Sequence, residues 1–110
     1  MKLAELFNPR PERLPVWAGL CVGRADGSNP GCPARQKHAI LAMVRARESE
    51  AENEISSLLH SNGWSDLELR NLKLLSEPFH SDDPDMVACY ENATKKLGGI
   101  IVYSDPIEEE

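Results

Sequence analysis

The clearest change in hydrophobic pattern along the chain falls between residues 39 and 64. An unbroken apolar run, Ala39-Ile40-Leu41-Ala42-Met43-Val44, gives way to a segment in which apolar residues recur at helical spacing, and that segment stops at Asn62-Gly63-Trp64. Ala51, Ile55, Leu58 and Leu59 fall at i, i+4, i+7 and i+8 and share one helix face, while Glu50, Glu54, Ser57 and Ser61 take the other. A single long helix from Arg35 to Asn62 competes with a strand followed by a helix. Local chemistry favours the second. Ser49 and Glu52 have the spacing of a capping box, in which the serine oxygen accepts from the N3 amide and the glutamate reaches back. This predicts a strand over Ala39–Val44 and a helix starting near Ser49. Gly63 suits the left-handed turn after the helix, with Trp64 packing back on Leu59.

The same reading extends in both directions. Val16 to Val22 is β-branched and aromatic enough for a first strand, with Pro15 tolerable at its edge. Gly23 to Pro33 is turn chemistry throughout, a long loop rich in Gly, Pro, Asp and Asn. In Ser65–Leu75, Leu67 and Leu69 alternate with polar residues, and then Leu72 and Leu74 take the opposite parity. An extra residue near Arg70 or Asn71, as in a β-bulge, returns all four to one face, and two short strands with a kink would do the same. The second helix carries Asp83 as N-cap, Pro84 at its first position, Asp82 and Asp85 near its positive end, and Lys95 and Lys96 near its negative end. Met86, Tyr90, Ala93 and Leu97 would face the sheet, Gly98 would stop the helix, and Ile100-Ile101-Val102-Tyr103 would follow as a strand buried on both faces. Leu3, Leu6 and Phe7 suggest an N-terminal lid over residues 1–13, and residues 106–110 a frayed acidic tail. Together these elements predict one α+β domain, a two-layer sandwich of a mixed sheet of about four strands and two helices, in the order β-β-α-β-α-β.

Composition adds bounds on function. At 110 residues, with 41% hydrophobic and 27% charged residues, the chain fits one ordinary globular domain. Its net charge of −6 argues against nonspecific nucleic-acid binding and suits a basic protein partner. No stretch reaches the ~18–20 apolar residues of a membrane span, and the first residues lack a cleavable leader pattern, so a cytoplasmic location is expected. Cys21, Cys32 and Cys89 form no C-x-x-C pair and read as reduced thiols, with Cys21 and Cys89 in the core.

Candidate chemistry is sparse. Cys32 and His38 lie close in sequence, but a structural zinc site takes four ligands, usually as close pairs, so no metal and no cofactor is expected. His60 and His80 read as solvated. There is no G-x-S-x-G, H-E-x-x-H or glycine-rich phosphate loop, which argues against those catalytic classes. The acidic positions suggest a contact surface instead, with Glu50 and Glu54 on the first helix and Asp82 and Asp85 at the start of the second. The Val44-Arg45-Ala46 strand end, the Ser49-Glu50-Ala51-Glu52 helix start and the Asn62-Gly63-Trp64 stop resemble a pattern in small bacterial α/β proteins, including immunity proteins that neutralise toxins. That resemblance covers about the central quarter of the chain and implies an inhibitor that covers a toxin's active site, with no binding residue to carry over. A non-enzymatic acidic protein-binding domain is therefore the leading expectation. The alternative is a small enzyme or ligand-binding domain using the Gly23–His38 loop.

Overall fold

The computed structural model describes residues 14–29, 31–103 and 105–107. Among the described residues four strands, β1 (Val16–Ala25), β2 (Lys37–Arg45), β3 (Trp64–Leu74) and β4 (Gly99–Val102), form one sheet, and two helices, α1 (Glu48–Ser61) and α2 (Pro84–Lys95), complete the α+β order read from the sequence. The expected N-terminal lid and residues 108–110 lie outside the described residues.

Sheet order is β3-β1-β2-β4, and every adjacent pair is antiparallel. The expected mixed sheet is corrected on this point, and the reason lies in the strand order. Since β1 opposes both β2 and β3, those two run in the same direction with α1 as their crossover, yet β1 lies between them. Among the described residues no two parallel strands touch.

Alternation within the strands builds two cores. Trp17 and Cys21 of β1 and Ile40, Ala42 and Val44 of β2 point to one face, where they pack with Ala51, Ile55 and Leu59 of α1. Val16, Ala18, Leu41 and Met43 point to the other, against Cys89 and Ala93 of α2. The helices thus cover opposite faces, so the expected two layers become three. Full burial of side chains such as Ile55 and Leu59 stabilises by ~1.5–3 kcal/mol each, which is what holds short helices on the sheet. α1 sits close because Gly19 has no side chain; a Cβ there would lie 2.6 Å from Ile55 Cδ1.

The strand over Ala39–Val44 and a helix start within two residues of Ser49 are both present. The capping box is not. Arg47 is the N-cap of α1 and makes no side-chain cap bond, so Ser49 falls inside the first turn. Asp83 does cap α2, its carboxylate accepting from the Asp85 N–H at 2.9 Å, with Pro84 behind it. Leu97 departs from expectation. The helix ends at Lys95, leaving Leu97 91% exposed, while Cys89 joins Ala93 in the buried stripe. β4 differs as well. It is an edge strand whose Ile100 and Ile101 reach opposite cores while only half-buried, and Val102 and Tyr103 are exposed. Beyond it the Ile107 N–H donates to the Lys37 carbonyl at 2.7 Å, tying the first part of the acidic tail to β2.

In β3 the register against β1 shifts between Leu20↔Asn71 and Cys21↔Leu69, making Arg70 the extra residue. The parity slip in the sequence is this bulge. A second irregularity lies between Val22↔Glu68 and Arg24↔Ser65, where Asp66 has φ +49°.

Candidate functional site

The loop from Asp26 to Gln36 follows β1 and is held by side-chain bonds that its polar sequence supplies. Asp26 Oδ1 accepts from the Ser28 N–H at 2.8 Å and from its hydroxyl at 2.5 Å, and these bonds hold the Asp26 carboxyl below the usual carboxylate range. Asn29 joins two segments. Its Oδ1 accepts from the Gly31 and Cys32 N–H groups, both at 2.9 Å, while its Nδ2 donates to the Gly63 carbonyl at 3.2 Å. The Asp26 N–H donates to that same carbonyl at 2.9 Å. The loop is thereby fastened to the turn between α1 and β3. Gly63 has φ +88°, and a Cβ there would lie 2.7 Å from the Asn29 Cα, so glycine is required both by the turn and by the approach of the loop.

Between this loop and β4 lies a cleft of about 480 Å³, lined on one side by Asn29, Cys32 and Gln36 and on the other by Trp64, Ile100 and Val102. His38 forms part of its wall and is only 2% exposed. Its Nδ1 donates to the Tyr103 carbonyl at 2.9 Å, its Nε2 lies 3.3 Å from the Gln36 Oε1, and its ring meets Trp64 edge-on at 5.7 Å. Each nitrogen of this buried ring thus lies against a polar atom, as burial favours. Cys32 is a half-buried free thiol in the same cleft. Among the described residues no three His, Cys, Asp or Glu side chains are grouped as a metal site would require.

The four acidic positions divide between layers. Glu50 and Glu54 are exposed on α1, Glu50 with Arg47 at 3.9 Å; Asp82 and Asp85 are exposed at the start of α2, on the opposite face of the sheet. Glu54 alone borders the cleft's surroundings. It lines a shallow groove with Leu58, Asn62 and Leu97, and Asn62 also lines the cleft, so groove and cleft form one continuous surface.

The sequence identifies the loop and the Cys32–His38 neighbourhood but misses the opposing wall. Trp64 reads there as packing back on Leu59, and Ile100 and Val102 as part of a strand buried on both faces. The only cue was β4's brevity, which suits an edge. The two other thiols stand apart from this surface: burial pushes Cys21 up and Cys89 up to about 11, so both are protonated near neutrality. Compared with family models, curated proteins and solved structures, the chain finds no match. No helix among the described residues is long and apolar enough to cross a membrane.

Proposed function

We propose that the chain is a non-enzymatic binding domain that seats an apolar side chain of a protein partner in the cleft, with basic residues of that partner facing Glu54. The observation that carries this reading is the continuous surface formed by the cleft and the exposed Leu97 and Val102, with Glu54 at its margin. Apolar side chains exposed together beside a concavity favour an interface over a plain solvated surface. His38 supports positioning rather than proton transfer, since its ring is buried against Tyr103 and Gln36, whereas a general base must present a nitrogen to its substrate. The acidic balance and small size, together with the resemblance noted above, make an immunity protein that covers a basic toxin the sharpest form of this proposal.

The test begins with a partner captured by the tagged full chain from its native host and reconstituted from purified components. Val102→Glu should weaken binding at least tenfold, because it puts a charge into the apolar wall. Glu54→Lys should slow association and flatten its salt dependence, whereas Asp82→Lys with Asp85→Lys should leave the affinity near that of the unaltered chain. Unchanged affinity in Val102→Glu, combined with loss in the Asp82/Asp85 variant, would move the interface to the opposite face and sink the proposal.

A further inference from the structure

The outer edge of β3 has a sequence that complements itself. Two copies related by a twofold axis would set the eight residues Leu67 to Leu74 against the same eight in the reverse direction. Leu67 then opposes Leu74, Glu68 opposes Lys73, Leu69 opposes Leu72 and Arg70 opposes Asn71. In a regular strand such a register would be impossible. Residues whose numbers add to an odd sum lie on opposite faces, so their side chains could not stand beside one another across a seam. The bulge at Arg70 removes that obstacle. Leu69, Leu72 and Leu74 lie opposite Cys21, Gly19 and Trp17, on the α1 face, and Leu67 packs against the same core. Glu68, Asn71 and Lys73 lie opposite Val22, Leu20 and Ala18, on the other face, and Arg70 joins them through its 3.1 Å ion pair with Glu68. All four kinds of opposed pair therefore match in face.

Backbone direction agrees. The Leu75 N–H donates to the Val16 carbonyl at 3.0 Å, and alternation from there makes Lys73 and Asn71 the residues that bond inward to β1. Past the bulge, Glu68 bonds inward opposite Val22. Leu67, Leu69, Leu72 and Leu74 thus turn their N–H and C=O groups outward, and these are the residues that oppose one another across the twofold. Leu74 is 52% exposed, and Lys73 has no ion-pair partner among the described residues.

We infer that a second copy of this chain pairs with the β3 edge, joining two four-stranded sheets into one antiparallel sheet of eight strands. Charge complementarity identifies the occupant: each seam holds two Glu68–Lys73 pairs on one face and a continuous leucine row on the other. Isologous contact about a twofold requires this kind of self-matching patch, and opposite charges directly across strands stabilise where like charges repel. β4 lies at the far edge of each sheet, and no residue that lines the cleft falls within Leu67 to Leu74, so this inference does not depend on the proposed function.

Sedimentation equilibrium of the full chain tests it. The unaltered protein should sediment at twice its chain mass of 12.2 kDa. Glu68→Lys and Lys73→Glu should each raise the dissociation constant by about tenfold or more, because each sets like charges opposite one another at two symmetry-related places. An equimolar mixture of the two variants should dimerise again. In the mixed pair the lysine introduced in one variant faces the glutamate introduced in the other, and the native Lys73 of the first faces the native Glu68 of the second. Restoration also shows that both variants fold. A single-chain mass for the unaltered protein at about 100 μM, far above the range of specific dimers, would overturn the inference. So would two variants that dimerise as the unaltered chain does, or a mixture of monomeric variants that stays monomeric.

Discussion

Gly63 shows how much one residue can decide here. It ends α1 in a left-handed turn, and its missing side chain leaves room for the Asn29 backbone, while its carbonyl accepts from both Asn29 and Asp26. Gly63→Ala should therefore cost about 1–3 kcal/mol, the range for a side chain held in a sparsely populated backbone region, measured as a fall in the urea midpoint. The turn was legible from Asn62-Gly63, but the approach of Asn29 was not, because it joins residues 34 apart in sequence. The cysteines divide in the same way. Cys21 and Cys89 read correctly as core; Cys32 sits half-buried in the cleft. Burial holds Cys89 protonated to about pH 11, while in the unfolded chain the thiol ionises near 9. Between those values the unfolded state releases a proton that the folded state keeps, so stability is full below about pH 9 and declines as pH rises towards 11. Cys21 and Tyr90, also shifted up, add to the same decline. Urea midpoints at pH 8 and pH 10.5 should show the fall, and Cys89→Ala should lessen it; a midpoint that rises over this window would contradict the assignment.

At the scale of elements, the legible signals were those in which one local mechanism leaves one reading. Asp83-Pro84 marked the start of α2 because an aspartate cap and a proline without an N–H suit only that position. The parity slip from Leu69 to Leu72 marked a break in the strand, a bulge or a kink between two short strands, and the register shows the bulge. Ser49 and Glu52 misled. Their spacing matches a capping box, but the N-cap of α1 lies two residues earlier, at Arg47, and the turn is supported by the burial of Ala51 and Ile55 rather than by a side-chain cap. The two helices therefore predict opposite responses. Asp83→Ala should cost about 1 kcal/mol, the usual loss of a cap, whereas Ser49→Ala should stay within roughly 0.5 kcal/mol, as exposed changes away from such features do. Chemical denaturation of both variants separates them, and a full cap's loss at Ser49 would reinstate the capping box.

For the whole molecule, the count and order of elements followed from the sequence, and the layering did not. Nothing in the α1 and α2 stripes says which face of the sheet each will cover; that is set by strand order, which brings β1 between β2 and β3 and sends the two crossovers to opposite sides. The same topology separates Glu54 from Asp82 and Asp85 and brings together Cys32, His38, Trp64 and Val102, which lie up to 70 residues apart in sequence. The candidate site was thus legible only as a loop, because its other wall is assembled by long-range pairing. Hydrogen exchange of the full chain, free and with its reconstituted partner, tests the central claim most directly. The proposed surface predicts new protection in residues 29–38, 58–64 and 97–103, with no change at the start of α2. Protection concentrated at residues 82–87, with the cleft exchanging as in the free protein, would contradict it.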